Sequence, residues 1–374
     1  MSDEHATFGQ DKALKRASFV TLLPCGGDLL LRAQGITSCG LLLDVHFVDT
    51  LTLLKVTMAL LGLLPMTPFL LNITPLKIGT IMGTIFRGVF GVSSNSYWYL
   101  GLSFISIILL VIVFYRKRSL HTYLQFFIGV ELLYIIEAVI YIFLGSYEYH
   151  PKLLCNRYYD SHLGALTSNL ISIPSLALVL SVYQLGWLWI VGFIALLAGI
   201  EWLFVELHIY SLHWWRIGYT SLGLLFYFPL IKKIYPWMLK AKKGVSRAFL
   251  LFFCLGPLSG TAQFLPFMLF SSRVYRPGWF SDPAYDTSAF GIVYYLSVVL
   301  VTTLLLMVSW KYRWIKYACL ETILIIATLL LKRNGILISQ VWWDVYLYLL
   351  FPLLILMIGK TFGKHLARGE TPRF

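Results

Sequence analysis

The stretch from residue 97 to residue 115 contains no charged side chain, and this feature limits the fold more than any other in the sequence. As an α-helix its nineteen residues would span about 28 Å, close to the thickness of the hydrocarbon core of a bilayer. Only 13% of all residues are charged and 59% are hydrophobic, whereas about a quarter of the residues of a soluble protein are charged. Because such a chain has too little polar surface to cover a globule in water, we predict an all-α integral membrane protein.

The apolar segments of the sequence predict a bundle of eight to ten transmembrane helices. Nine segments are sufficiently apolar, at residues 97–115, 122–145, 163–182, 185–207, 214–231, 248–270, 289–310, 317–331 and 336–359. A tenth crossing would lie at residues 51–71. Residues 78–92 form a short segment with Arg87 and four glycines, which suits a re-entrant or interfacial position better than a full crossing.

The basic residues of this arrangement gather on one side of the membrane. That side holds sixteen Lys and Arg residues, with Glu370 as its only acid. The loops on the opposite side, at residues 146–162 and 271–288, mix both signs of charge, and Lys332 and Arg333 are the exception to the segregation. By the positive-inside rule the basic side and the C-terminus are cytoplasmic. The net charge of +13 therefore reflects membrane topology, with lipid as the expected partner, and does not indicate nucleic-acid binding.

The N-terminal region differs in composition from the rest of the chain. Residues 1–50 contain six of the seventeen acidic residues, and their apolar stretches are too interrupted for a signal peptide. The simpler interpretation is a polar cytoplasmic arm. The sharper hypothesis is that translation starts at Met58, so that this arm is not native. Independently of that hypothesis, residues 51–120 are predicted to contribute one or two extra helices ahead of the main body.

The sequence repeats itself at an offset of 126 residues. A Tyr-x-Pro motif at residues 149–151 aligns with the same motif at 275–277. A Tyr-Asp pair followed by Ser or Thr aligns at residues 159–161 and 285–287, and no gap is needed between the two matches. Repeats of this kind indicate that one structural unit occurs twice.

Two tandem copies of a four-helix unit account for this repeat. The copies would cover residues 121–247 and 248–374, and the Trp pairs at 214–215 and 342–343 also correspond, with a small drift in offset. An even number of helices brings both copies into the membrane from the same side. We therefore predict parallel repeats, related by an axis along the membrane normal.

Residues 127–235 carry a set of motifs that point to a known family. These are Gly129-Val130-Glu131-Leu132-Leu133-Tyr134, Tyr147-Glu148-Tyr149-His150-Pro151, Pro174, Ile200-Glu201, Trp214-Trp215 and Phe228-Pro229-Leu230. In these motifs the chain resembles a family of small uncharacterised integral membrane proteins of spore-forming bacteria, and a second copy would cover residues 248–362. The resemblance implies a helical protein of the bacterial cytoplasmic membrane and an acidic residue at Glu131, but it implies no activity.

Ionisable residues within the predicted helices are the candidates for function. An ionisable side chain that faces lipid costs roughly 2.5 to 3.5 kcal/mol, so such residues normally face the interior of a bundle. The candidates are Glu131, Glu137, Glu201, His208 and Asp344. Glu131 and Glu137 share a helix but point in different directions, which excludes a local pair of catalytic carboxylates. Glu137 aligns with Gln263, and a structural contact between helices is the alternative interpretation of its role.

Glu201 is the strongest of these candidates. His208 follows seven residues later, two turns along the same helical face and about 10 Å away. The two residues could belong to one proton pathway, or act as acid and base of an enzyme within the membrane. Alternatively, His208 lies with Glu206 at the outer interface, where water solvates both.

Charged residues near the outer ends of the helices provide two further hypotheses. Arg216 and Asp344 follow the two Trp pairs, so an ion pair between them could join the repeats. Asp160 and Asp286 could line a vestibule that attracts cations. They could equally cap the helices that begin beside them, which is the simpler interpretation.

Several kinds of site are not indicated by the sequence. It contains no nucleotide-binding, zinc-protease or serine-hydrolase motif, and its five scattered cysteines suggest unpaired packing residues, so we predict neither a metal nor a cofactor. The leading hypothesis is a transport-like or sensing protein with a polar pathway at Glu201, Glu131 and Asp344. The alternatives are a membrane scaffold and an intramembrane enzyme that acts on lipid through Glu201 and His208. The sequence specifies neither a small-molecule or ion ligand nor an oligomeric state.

Overall fold

The computed structural model describes residues 93–312 and 314–369, which form nine long helices. In chain order these are α1 Ser94–Lys117, α2 Leu120–Phe143, α3 Arg157–Val182, α4 Trp187–Glu206, α5 Ile217–Leu239, α6 Gly244–Phe270, α7 Pro283–Met307, α8 Ile315–Arg333 and α9 Asp344–Arg368. All of them except α5 and α8 meet the length and hydropathy expected of a transmembrane helix. The prediction of an all-α polytopic membrane protein is confirmed.

The nine predicted helices of the main body are all present, but their ends differ from the prediction. The largest difference concerns α9, which begins at Asp344 and continues to Arg368, although it was predicted at residues 336–359. The preceding residues form a short strand instead. The predictions for residues 1–92, including the polar arm, the start at Met58 and the crossings before residue 93, lie outside the described residues.

Four short strands join the helices at one end of the bundle. Strand β1 Tyr147–Tyr149 pairs antiparallel with β2 Tyr210–Leu212, and β3 Arg273–Tyr275 pairs with β4 Leu337–Ser339. We call these pairs the first and second sheet. The rings of Tyr158 and Tyr285 lie 4.7 Å apart, so the loops around both sheets meet at the same end of the bundle. This end is called the sheet end, and the opposite one the basic end.

The order of elements occurs twice along the chain. Helices α2 to α5 with the first sheet form the first set, and α6 to α9 with the second sheet form the second set. In each set a strand follows the first helix, and its partner strand lies between the third and fourth helices. This order agrees with the predicted four-helix repeat. The origin of the two sets by duplication stays a prediction.

Helix α6 lies at the centre of the bundle, where it contacts α2, α7 and α9. Leu250, Leu251 and Cys254 of α6 are fully buried and pack into the core that α2 and α5 also form. Cys254 and Cys319 are free thiols, as expected. Cys155 is disulfide-bonded, so the prediction that all five cysteines are unpaired is wrong.

Candidate functional site

A cavity of about 170 Å³ lies in the first set, beside the first sheet. Helices α1 to α5 and both strands of the sheet contribute to its wall. The cavity brings Glu137 of α2 and Glu201 of α4 to one site. Ile136 and Tyr219 also line it and are themselves exposed, so the cavity reaches the surface of the bundle at this edge.

Glu137 is held in the cavity by a residue of strand β1. The hydroxyl of Tyr147 donates a hydrogen bond of 2.6 Å to Oε2 of Glu137. The other oxygen of this carboxylate, Oε1, is buried without a hydrogen-bond partner in the described part of the chain. Burial of a polar atom without a hydrogen-bond partner costs free energy. A ligand that donates a hydrogen bond to Oε1 would recover that free energy.

Glu201 has the same arrangement, with one oxygen bonded and one free. The hydroxyl of Thr220 donates to Oε1 at 3.1 Å, and the indole of Trp215 donates to that hydroxyl at 2.8 Å. Oε2 of Glu201 is buried and has no hydrogen-bond partner among the residues that the structure describes. The cavity therefore contains two carboxylates, each with one oxygen that lacks a well-formed hydrogen bond within the described residues, and the side chain of Asn169 lies near Glu137 as the hydroxyl of Tyr210 lies near Glu201.

Tyrosine side chains of the first sheet lie beside the two carboxylates. The ring of Tyr149 packs at 4.7 Å from that of Tyr210, and the ring of Tyr147 lies 5.4 Å from Tyr210. Both glutamates act electrostatically on Tyr149 and Tyr210, which places these rings near both acids. Burial raises the pKa of all three hydroxyls well above the ordinary value, so they remain neutral and can donate hydrogen bonds.

Two π-helical segments form part of the cavity wall. Residues Ala138–Phe143 of α2 and Thr167–Ser172 of α3 are wound as π-helix, and they contribute Ile140 and Asn169 to the lining. Segments of this kind are rare and occur frequently at functional sites. In residues 93–312 and 314–369 they are found only in the two helices beside this cavity.

The second set contains a buried ion pair in place of an acidic cavity. Arg273 of β3 bonds Asp344 of α9 through two nitrogens, at 2.8 and 3.1 Å, and both side chains are 0% exposed. The guanidinium also donates to the hydroxyl of Tyr275 at 2.8 Å and lies 3.1 Å above the ring centre of Tyr348. Desolvation lowers the pKa of Arg273, but Tyr275, Tyr348 and Asp344 together raise it above its ordinary value, so the arginine is charged.

The predicted ion pair between Arg216 and Asp344 is wrong. Asp344 pairs with Arg273 inside the second set, whereas Arg216 is exposed at the start of α5. The sequence argument failed because strand β3, which was not predicted, brings an arginine from a distant part of the chain to the start of α9.

Asp160 and Asp286 hold the loops that precede their helices. The carboxylate of Asp160 accepts hydrogen bonds from the backbone N–H groups of residues 152–154, at 2.6 to 2.8 Å. The carboxylate of Asp286 accepts from those of residues 278–280, at 2.9 to 3.1 Å. The two arrangements are related by the offset of 126 residues.

Neither aspartate caps its helix as predicted. The N-cap residues are Asn156 of α3 and Asp282 of α7, whose side chains accept from backbone N–H groups of the first turn. Asp160 and Asp286 lie one turn further on and are buried. Their carboxylates bind loop amides, so the two aspartates stabilise the loops. A vestibule that attracts cations is not needed to explain the position of either aspartate.

The remaining candidates lie outside the cavity. Glu131 is buried between α2, α6 and α7, where the hydroxyl of Tyr295 donates to it at 3.4 Å. His208 is exposed in the turn after α4, which ends at Glu206, and it has a left-handed backbone with φ of 55°. The prediction that His208 and Glu201 share a helical face is therefore wrong.

Sequence reasoning missed the residues that complete the cavity. Tyr147 and Tyr149 alternate along β1, and Tyr210 lies in β2. The alternating tyrosines are a signal of a strand with one polar and aromatic face, but three residues are too short for confident recognition. Glu137 and Glu201 belong to different helices, so only packing reveals that they converge.

Comparisons with known proteins found no protein family, no curated protein and no solved structure that matches this chain. The resemblance to membrane proteins of spore-forming bacteria therefore stays a prediction.

Proposed function

We propose that the protein binds a small organic cation in the cavity of the first set, as the binding step of a transport-like or sensing role. The observation that carries this proposal is the convergence of Glu137 and Glu201 in one cavity. No Lys, Arg or His lies among the described residues that line it. The cavity thus has two acidic groups and no internal cation to neutralise them.

Electrostatics favours a cationic ligand over an anionic or neutral one. A carboxylate that is removed from water loses hydration, and it regains that free energy only from an opposite charge and from hydrogen bonds. A ligand ammonium group supplies both, because its N–H groups can bind the free oxygens of Glu137 and Glu201. The faces of Tyr147, Tyr149 and Tyr210 would add cation–π attraction.

The size of the cavity limits the ligand to a small amine or ammonium ion. A volume of 170 Å³ is close to that of an engineered protein cavity of about 150 Å³ that binds benzene. We therefore expect a ligand of roughly six to eight non-hydrogen atoms. Peptides, nucleotides and intact lipids are too large to fit entirely within it.

The second set supports this proposal by offering an internal example of a bound cation. There the guanidinium of Arg273 contacts a carboxylate, a tyrosine hydroxyl and a tyrosine ring. Counting 126 residues back from Arg273 gives Tyr147, so the first set has a neutral residue at that position. A free cation would supply the charge that the first set lacks.

We also infer that the two sets arose by tandem duplication. The repeated order of helices and strands supports this origin, as does the matched binding of loop amides by Asp160 and Asp286. The gathering of basic residues at the ends of α5 and α9 and at the start of α6 supports a cytoplasmic C-terminus, and the resemblance to proteins of spore-forming bacteria supports a bacterial cytoplasmic membrane. Two reporter enzymes fused after residue 374 test this orientation, one active only in the cytoplasm and one active only outside it. We expect activity from the cytoplasmic reporter alone.

Binding can be tested on the purified full-length protein in nanodiscs by calorimetry. The probes are butylamine, diaminobutane and tetramethylammonium, with butanol as an uncharged molecule of the same shape as butylamine. We expect the cations to bind and butanol to bind at least about tenfold more weakly, because only a cation interacts strongly with the carboxylates. Equal affinity for butylamine and butanol would contradict the proposal.

A pair of variants assigns the binding to the cavity. Glu137→Gln with Glu201→Gln removes both charges and should abolish binding of the cations. Glu131→Gln removes a buried carboxylate outside the cavity and should leave binding unchanged, because Glu131 contacts Tyr295 instead. Unchanged affinity in the double variant would favour the membrane-scaffold alternative, in which the glutamates only join helices.

Uptake of a bound amine into liposomes then separates transport from sensing.

A further inference from the structure

A second cavity, of about 300 Å³, lies at the basic end of the bundle between α6, α7, α8 and α9. Its wall contains five basic residues and no acidic one: Arg247, Lys316, Lys360, Lys364 and Arg368. Leu251 of α6 and Leu306 of α7 form its apolar part. This cavity does not belong to the acidic site, which lies in the first set, and the inference below is independent of the proposed function.

The sequence of α9 explains why there is space at this position. Gly359, Gly363 and Ala367 follow one another at intervals of four residues, so they lie on one face of the helix and all line the cavity. A Cβ at Gly359 would come within 2.6 Å of Leu306, so the helices touch there. At Gly363 the nearest atom to such a Cβ is 3.9 Å away, so the helices have separated and the cavity opens.

The same helix supplies the charge of the cavity. Lys360, Lys364 and Arg368 each follow one of the small residues, so they form a basic row along its edge. Arg247 faces this row from α6. None of these four residues forms an ion pair with an acidic residue in the described part of the chain. Like charges held together repel one another, and an anion in the cavity would relieve that repulsion.

We propose that this cavity binds a phosphate group, carried by an anionic lipid or present as a free ion. Lysine and arginine side chains are the residues that most often bind phosphate, and arginine can do so through two nitrogens at once. Basic pockets between transmembrane helices at a cytoplasmic surface are typical sites for anionic lipid headgroups. The apolar side chains of Leu251 and Leu306 suit the start of an acyl chain, which favours the lipid as the source.

Native mass spectrometry of the full-length protein can compare phosphatidylglycerol with phosphatidylcholine. We expect phosphatidylglycerol to bind more tightly. Lys360→Gln with Lys364→Gln should weaken its binding about 30-fold, the equivalent of about 1 kcal/mol for each lysine. Lys240→Gln with Lys243→Gln removes the same charge from exposed positions outside the cavity and should have little effect. Equal losses in the two double variants would overturn the proposal, because general surface charge would then explain the binding.

A variant that keeps every charge tests the cavity itself. Gly363→Leu places a side chain in the open part of the cavity and should also weaken binding of phosphatidylglycerol. Gly101→Leu is the matched control, because a side chain at Gly101 meets nothing within 4 Å. Tight binding retained in Gly363→Leu, with normal thermal unfolding, would contradict a site in this cavity.

Inorganic phosphate distinguishes the two sources of the phosphate group. If millimolar inorganic phosphate competes with phosphatidylglycerol, the cavity accepts the free ion. If inorganic phosphate does not compete, the cavity is a lipid site. Either result supports a phosphate site, provided that the Lys360→Gln/Lys364→Gln variant loses the binding. The proposal fails if the protein prefers neither phosphatidylglycerol over phosphatidylcholine nor phosphate over chloride.

Discussion

The carboxylate of Glu131 in α2 occupies the space that a side chain at Gly256 in α6 would need. A Cβ built at Gly256 would overlap the carboxylate carbon and both oxygens of Glu131. Gly256 is thus the reason that a buried acid fits between the two sets of helices. An alanine is the smallest change that tests this fit.

Gly256→Ala should lower the free energy of unfolding by about 1 to 3 kcal/mol, because it overpacks this contact. Thermal unfolding in detergent measures the loss. Combining it with Glu131→Ala removes the overlap, and the double variant should be more stable than Gly256→Ala alone. Gly192→Ala in α4 meets nothing within 4 Å and should be neutral or slightly stabilising. If Gly256→Ala behaved like Gly192→Ala, the close contact with Glu131 would not exist.

The ion pair between Arg273 and Asp344 should be important for stability. Asp344→Asn leaves a buried arginine without its counter-charge, and we expect a loss of about 3 to 5 kcal/mol in the free energy of unfolding. Arg273→Met with Asp344→Leu removes both charges and should cost less than Asp344→Asn. Arg216→Gln is the control, because this exposed residue should contribute less than about 0.5 kcal/mol. Equal losses of stability in Asp344→Asn and Arg216→Gln would instead support the ion pair between Arg216 and Asp344 that the sequence predicted.

The loops held by Asp160 and Asp286 should respond alike to the same substitution. Asp160→Asn and Asp286→Asn each remove charged acceptors from three backbone N–H groups, and each should cost roughly 2 kcal/mol or more. In each variant, hydrogen exchange should accelerate at the backbone amides of the loop whose aspartate was replaced. Asp282→Asn is a matched control, since Asn serves as well as Asp at an N-cap position. A large effect at only one of the two loops would count against their equivalence.

Binding of amines in the cavity should weaken as the pH falls. A carboxylate must lose its proton before it attracts a cation, so acidification from about pH 8 to about pH 5 should lower the affinity for tetramethylammonium, which does not itself titrate. The tyrosines do not contribute to this dependence, because burial keeps their pKa values above the ordinary range. Tyr149→Phe should therefore retain the pH dependence. Calorimetry at several pH values measures it, and a flat profile would exclude the glutamates as ligands.

The helices could be predicted because a bilayer restricts which backbone conformations can cross it. Backbone groups in a bilayer must be satisfied internally, so a long apolar run such as residues 97–115 forms a helix whatever its neighbours are. The motif at residues 159–161 was also informative, because the same loop contacts recur at 285–287. Local sequence was sufficient to predict the helix and the recurrence of the motif, but not the role of its aspartates, which bind loop amides and do not cap the helices.

The site could not be predicted to the same extent because it depends on contacts between distant residues. Arg273 reaches Asp344 only through the three-residue strand β3, which carries no strong signal of its own. Glu137 and Glu201 were recognised as separate candidates, but their convergence results from the packing of five helices around the first sheet. His208 was misplaced because the sequence did not show that α4 ends at Glu206.

The π-helical segments of the first set give the cavity a further property. The interval from Glu137 to Tyr149 equals the interval from Gln263 to Tyr275, yet residues 138–143 are wound as π-helix and residues 264–269 as α-helix. No insertion or deletion separates the acid-lined cavity of the first set from the ion-paired interior of the second set. In the first set residues 138–143 and 167–172 are both wound as π-helix, whereas their equivalents in the second set are α-helical, so the wider coiling makes room for a site without adding a residue to the chain.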